Sequence, residues 1–376
     1  MGVGWSPRDQ RTSRDRLPTM AISTGKKLRY SLLAIVLVVL AAEIFLGYVY
    51  FQIKAGSPTA LQATYQTIKS RIGKQAAERI IDRFKDTREP TWRAFYADKG
   101  KALREQFERR YEEDFGRLVE SCQEKGSTLV VLYLPSTDPE SPDHCSESLC
   151  RAFFQRITDS QGVPLVDLTA SIREYPWQDV TLLPEDSHYS RLGNRIVASG
   201  LAEAIVSLKD HRCQATYNGS PSRCADLEPG ESRHWELLSE LPFLVTTNGQ
   251  GFRSGRDVEV PKRRQRVLLL GDSYTFGVHL PNAHTYADLL EQQQPHLEVL
   301  NAGVVGYTIV QEVELFQQRA GAVAADITVL QVLDNDVYGM FFFTRSWFDR
   351  KGRRYDATAA EKEFLEDLGL GELAEW

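Results

Sequence analysis

The chain has 376 residues, 42% of them hydrophobic and 26% charged, with a net charge of −6. That length supports one large or two modest domains around a sizeable core. The acidic balance gives no electrostatic case for nucleic acid as a partner, and the absence of an internal repeat or low-complexity tract argues against a solenoid or a disordered chain.

Residues 1–29 form a basic tail, with Arg8, Arg11, Arg14, Arg16, Lys26, Lys27 and Arg29. Residues 32–53, "LLAIVLVVLAAEIFLGYVYFQI", carry a single charge, Glu43, and approach the about twenty apolar residues needed to cross a bilayer. Tyr30, Tyr48 and Tyr50 stand near its ends, where amphipathic rings favour the interface. A cleavable signal peptide is the rival reading, but the run exceeds a usual h-region and no clear A-x-A site follows. A retained transmembrane anchor over 30–53 is expected. The positive-inside bias then puts the N-terminus in the cytoplasm and the remainder outside, as in a single-pass inner-membrane protein with a periplasmic or extracellular body.

Residues 54–127 read as a helical stalk and packing helices. Leu103, Phe107, Tyr111, Phe115 and Leu118 recur at helical spacing, which predicts one buried face, and Gly126 suits the helix end. The run "TLVVLYLP" then reads as a strand buried on both faces, "LCRAFFQRITDSQG" as a helix, and "VPLVDLT" as a second strand. The segment "PEDSHYSRLGN" is a loop entering an amphipathic helix from about Arg191. Residues 209–264 are loop-rich. Regular structure resumes with the strand "RVLLL", a helix near "TYADLLEQQ", the strand "LEVLNAG", a helix over 310–319 and the strand "DITVLQVL". The charged tail 346–376 holds no strand-like run. His279 and His284 read as surface or loop histidines.

Cys145 and Cys150 stand five apart, and Cys213 and Cys224 flank a Gly/Ser/Pro-rich loop. Two local disulfides are the simplest pairing for an exported body, with other pairings of the four open and Cys122 left single. No histidine falls at zinc-site spacing beside either pair, so no metal is expected.

Alternating strands and helices with continuously apolar strands imply an α/β layered fold around a parallel sheet. Functional residues of such sheets lie beyond the carboxyl ends of strands. Asp272-Ser273, Asn301 to Gly303, Asn335-Asp336 and the Asp186–His188 segment all fall there.

The stretches "LLLGDSYTFG", "NAGVVGYT", "LDND" and "PEDSHYSRLGN" resemble the blocks of the SGNH/GDSL hydrolase superfamily, and "TTNGQGFRSGRD" resembles a segment of its membrane-associated bacterial members. The resemblance spans roughly residues 100–210 and 240–345. It implies a three-layer, flavodoxin-like fold and a serine nucleophile. A serine hydroxyl needs an imidazole to take its proton and a carboxylate to hold that imidazole. Ser273 is therefore the expected nucleophile, His188 the general base and acid, and Asp186 the group that orients His188. The resemblance further implies an oxyanion hole from the Ser273 N–H, the Gly306 N–H and the Asn335 side chain. Asp272 is expected to fix the turn, and Asn301 to tie loops together.

This chain departs from the family in two ways. Leu333 stands where the family carries glycine two residues before the Asn, and Asp186 and His188 precede Ser273 instead of following it. Circular permutation within one domain at 128–345 accounts for the order: an Asp/His half at 128–208, a connecting loop at 209–264 and a Ser/Gly/Asn half at 265–345. The alternative is a truncated two-domain product. The function expected is an esterase or O-acyltransferase acting on acyl esters, acetyl among them, of an envelope or exported glycan. Polysaccharide-assembly proteins are candidate partners, and no cofactor is implied. The competing function is a catalytically degenerate protein that binds glycan or scaffolds an assembly.

Overall fold

The computed structural model describes residues 92–140, 145–183, 186–208, 213–235, 241–341 and 358–367. The apolar segment 32–53 and its flanks lie outside the described residues, among which no helix is long and apolar enough to cross a membrane.

Helix α1 (Lys101–Lys125) buries Leu103, Phe107, Tyr111, Phe115 and Leu118 along one stripe and ends at Gly126, whose φ of 71° is a left-handed helix terminus. Strand β1 (Thr128–Leu134), helix α2 (Cys145–Gln161) and the short strand β2 (Leu165–Asp167) follow. Two short helices, α3 (Thr169–Arg173) and α4 (Trp177–Val180), lead into an antiparallel pair, β3 (Thr181–Leu182) and β4 (Asp186–Tyr189), and then helix α5 (Arg191–Ser207). Ser190 caps α5 by accepting from the N–H groups of Leu192 and Gly193. A second antiparallel pair, β5 (Ser232–Trp235) and β6 (Phe243–Thr246), precedes β7 (Gln265–Leu270). The remaining elements are α6 (Ser273–Phe276), α7 (Tyr286–Gln293), β8 (Leu297–Asn301), α8 (Ile309–Gln318), β9 (Ile327–Leu333) and α9 (Ala359–Asp367).

Five strands form one parallel sheet in the order β2-β1-β9-β7-β8. Counted from β7 onward and then through β1 and β2, that order is 2-1-3-4-5 read from the β8 edge, the doubly wound flavodoxin-like arrangement. Both halves of the chain build it: β1 pairs with β9 in register from Thr128↔Ile327 to Leu134↔Leu333. Alternate residues divide between two cores. Val131, Tyr133, Leu268, Leu270, Leu330 and Val332 belong to the core that includes α1 and α8, and Val130, Leu132, Val267, Leu269, Val329 and Leu333 to the core that includes α5 and α7.

Asp326, just ahead of β9, gathers the connecting segment at the opposite edge of the sheet from the polar loops. Its carboxylate accepts from Cys213 N at 2.7 Å, Lys262 Nζ at 2.9 Å and Arg266 N at 2.7 Å. Arg266 is itself fully buried and pairs with Glu298 at 2.7 Å. Losing one partner of such a buried pair costs about 3–5 kcal/mol, so both ends of the segment are strongly fixed.

Two expectations are corrected. The segment read as a connecting loop contains β5 and β6, whose Trp235, Phe243 and Val245 form a third core with Phe276 and Val278 beside Ser273. The expected local disulfides are not formed: Cys150, Cys213 and Cys224 are buried free thiols, like Cys122. Cys213 Sγ faces the Lys125 carbonyl at 3.1 Å, whereas Cys224 Sγ faces the Pro221 carbonyl at 3.1 Å, and Cys150 Sγ donates to the Asp334 carbonyl at 3.3 Å. Each thiol has its own local partner instead of a second sulfur. The side chain of Cys145 lies outside the described residues.

Candidate active site

Strand β7 runs into Gly271, Asp272 and Ser273. Gly271 has φ 156°, and a Cβ there would stand 2.1 Å from Thr275 Oγ1 and 2.7 Å from Gln331 Oε1, so only glycine fits under the turn. The Asp272 carboxylate accepts from Tyr274 N at 2.9 Å and caps α6. Burial pushes the Asp272 carboxyl up. The second loop comes equally close: a Cβ on Gly303 would meet Phe276 N at 2.4 Å. Asn301 ties the two loops, donating from Nδ2 to the Thr275 carbonyl at 2.8 Å and accepting from Gly303 N at 3.0 Å.

Asp186 and His188 arrive on β4 rather than in a loop. In an extended strand residues two apart share a face, and here His188 N donates to Asp186 Oδ1 at 2.8 Å while the ring Nδ1 donates to the same oxygen. That contact makes Nδ1 the protonated nitrogen of the neutral ring, so Nε2 accepts from Ser273 Oγ, 2.8 Å away. Burial pushes the Asp186 carboxyl up, but hydrogen bonds from the His188 ring and backbone N–H and contact with His279 outweigh it and hold the group well below the usual carboxylate range. The His188 ring leans on Tyr274, with centroids 4.8 Å apart, and the Tyr274 hydroxyl donates to the Ser187 carbonyl at 3.2 Å. Asn194, on α5, receives the Tyr286 N–H at 3.0 Å and donates to the Tyr189 carbonyl at 3.2 Å, which couples the His188 strand to the helix after the Ser273 turn.

Three hydrogen-bond donors are expected to face an oxyanion. Ser273 begins α6, Gly306 sits half-buried in the turn before α8 with φ 76°, and Asn335 follows β9 at the same edge of the sheet as Ser273. Among the described residues neither the Ser273 nor the Gly306 N–H has a backbone acceptor, and the Asn335 carbonyl accepts from Gly339 N. Leu333, where the resemblance implies a glycine, gives its N–H to the Asp336 carboxylate, which burial and the neighbouring Asp272 push up.

Two residues that the sequence did not single out shape the site. His279, read as a surface or loop histidine, does lie in the turn after α6 but is buried there, with Asp186 at 3.6 Å. Arg253, from the "GFR" stretch, is 1% exposed and donates to the carbonyls of Phe276, Gly277 and Leu280 and to Asn282 Oδ1. It thereby clamps the turn that follows the nucleophile position. Among the described residues no cluster of His, Cys, Asp and Glu could hold a metal ion.

Fold and site together define an α/β protein with a Ser–His–Asp relay beyond the carboxyl ends of a parallel sheet. No family model and no curated protein matches the chain. A solved structure described as the O-acetyltransferase domain of Pseudomonas putida AlgJ aligns over 67% of this chain and 92% of its own length, at 19% identity and a TM-score of 0.43. AlgX of Pseudomonas aeruginosa aligns over 65% of this chain and 62% of its own, at 17% identity and a TM-score of 0.36. Both likenesses are distant, and the chemistry is read from this chain's own side chains.

Proposed function

We propose that the protein is a serine-dependent O-acyl esterase or acyltransferase of the SGNH type, built as a circularly permuted domain, anchored in the inner membrane and acting outside it on acylated, in particular acetylated, glycans. The observation that carries this reading is the continuous relay Asp186 Oδ1, His188 Nδ1, His188 Nε2, Ser273 Oγ, with its last link at 2.8 Å. As Ser273 Oγ bonds to the ester carbonyl carbon, its proton passes to His188 Nε2, and Asp186 stabilises the imidazolium. The carbonyl oxygen becomes an oxyanion held by the Ser273 and Gly306 N–H groups and the Asn335 amide, each worth about 10²–10³ in rate. His188 returns the proton to the departing alcohol, leaving an acyl group on Ser273. A water or a sugar hydroxyl then gives its proton to His188 and takes the acyl group while His188 returns that proton to the departing Ser273 Oγ, so hydrolysis and transfer share every residue and differ only in the acceptor.

Support for the permuted domain comes from the single sheet that both halves build. Support for export rests on the basic tail and apolar run of the sequence. Turnover of p-nitrophenyl acetate by the full chain tests the chemistry. Ser273→Ala and His188→Ala each reduce it to background while leaving the thermal transition in place; turnover that survives both substitutions rejects the reading.

A further inference from the structure

We propose that His279 is a positioning residue that holds Asp186 from the side opposite His188, extending the relay to four members; the inference rests on the catalytic reading of Ser273, His188 and Asp186. Three independent observations meet at this side chain. First, His279 has φ 63°, a left-handed conformation that costs a bulky residue about 1–2 kcal/mol and that glycine or asparagine would take more readily. A non-glycine residue held in that conformation beside a reactive centre points to a role for its ring.

Second, the ring is enclosed. Its side chain is 1% exposed, packed edge-on to Phe243 with centroids 5.5 Å apart and to His188 at 6.3 Å. Third, both ring nitrogens face acceptors. Nδ1 meets the Leu241 carbonyl at 3.3 Å, so with an acceptor facing each nitrogen the ring donates on both sides only as the imidazolium, in which both nitrogens carry protons. Nε2 stands 3.6 Å from Asp186 Oδ2, within ion-pair range though beyond a normal hydrogen bond.

Asp186 is consequently divided between two histidines. Its Oδ1 takes both contacts from His188, and its Oδ2 looks at His279. A carboxylate that is 22% exposed and gripped on one oxygen only could rotate about χ2. A donor on the second oxygen fixes the plane in which Oδ1 meets Nδ1. The connecting segment supplies the supports: Leu241 receives Nδ1, and Arg253 clamps the carbonyls at 276, 277 and 280 on either side of His279. Substrate contact is not required of His279, so its loss acts on the chemical step and not on ester binding.

The test is steady-state turnover of p-nitrophenyl acetate by the full chain, with kcat and KM separated, for the wild type, His279→Asn, His279→Gln, His279→Ala and Ser273→Ala. Asparagine accepts the left-handed turn but is too short to reach Asp186, whereas glutamine restores a donor of about the right reach. His279→Asn lowers kcat by about 10- to 100-fold at unchanged KM and an unchanged or higher melting temperature, and His279→Gln recovers part of the kcat. Unchanged kcat in His279→Asn, or a loss that glutamine fails to relieve, overturns the role of His279 while Ser273-dependent turnover keeps the catalytic reading. If His279→Asn does not fold, the decision falls to His279→Gln, which must keep a higher kcat than His279→Ala. Turnover that persists in Ser273→Ala overturns both.

Discussion

The Arg253 guanidinium lies 4.5 Å from the centre of the Phe276 ring, at the end of the four-residue helix that Ser273 begins. Among the described residues no carboxylate contacts the buried Arg253, and burial pulls it down to about 9 against the opposing charge of Asp288. What holds this cation are main-chain carbonyls, Asn282 and two aromatic faces, Phe276 and Phe243. The arrangement uses the forked geometry of guanidinium, which an ammonium cannot reproduce. Arg253→Lys therefore destabilises the protein by about 2–4 kcal/mol, read as a lower denaturation midpoint. Its residual folded fraction also turns over ester more slowly, because the His279 turn is no longer clamped.

Asp334 gives a pH dependence of opposite sign to the usual carboxylate. Burial, with Glu147 opposed by Thr137, pushes its carboxyl up to about 7, and Oδ1 has no hydrogen-bond partner among the described residues. The folded state thus holds a proton that the unfolded chain releases near pH 4, so stability falls as pH rises from about 4 to about 7. Asp334→Asn keeps an acceptor for the Thr137 hydroxyl and removes the penalty. Its stabilising effect is absent near pH 4 and grows to a few kcal/mol, on the order of three pK units, above pH 7. Denaturant titrations at pH 4, 6 and 8 check the sign, and a constant difference across that range contradicts it.

Gly303→Ala tests the close approach of the second loop. The added methyl would press on Phe276 N at 2.4 Å, so the loop carrying Gly306 must move away from α6. Overpacking of this kind costs about 1–3 kcal/mol, and because Gly306, the proposed oxyanion donor, rides on the displaced loop, kcat falls further than stability does. Parallel measurement of melting temperature and kcat separates the two.

The cysteines yield a chemical prediction. Burial pushes the Cys122 thiol up to about 12 and raises Cys150 and Cys224 as well, so these sulfurs are poor nucleophiles while the protein is folded. Titration with a disulfide reagent is slow for these residues in the native state and fast after denaturation, and a reductant leaves the melting temperature unchanged. A drop in melting temperature on reduction would show that disulfides contribute to the fold.

Much of this architecture was legible in the sequence because the signals were local. The stripe from Leu103 to Leu118 fixes the buried face of α1 by spacing alone, and the apolar runs at 128–134, 265–270 and 327–333 are the continuous pattern of strands covered on both sides. Asp186, His188 and Ser273 stood out in the sequence because the proposed acyl-transfer chemistry uses those three residue types, and the structure brings them into hydrogen-bonding contact. The β5–β6 pair was hidden, since "SRHW" is short and polar and no Asn-Gly or similar tight-turn signal joins it to the next strand, 243–246. Local spacing also suggested disulfides, but thiol partners are set by packing across distant segments, as with Cys213 and Lys125. His279 gave no sequence signal because its meaning lies in Asp186, 93 residues away, and in a backbone angle that no pattern reports.

The most direct measurement is peptide mapping of the full chain quenched rapidly after mixing with p-nitrophenyl acetate. The account predicts an acetyl group on the peptide containing Ser273, accumulating in a His188→Ala background only at a much reduced rate and absent in Ser273→Ala. Ester turnover with the acetyl group on another residue, or with none on Ser273 at any quench time while Ser273→Ala stays active, would contradict it.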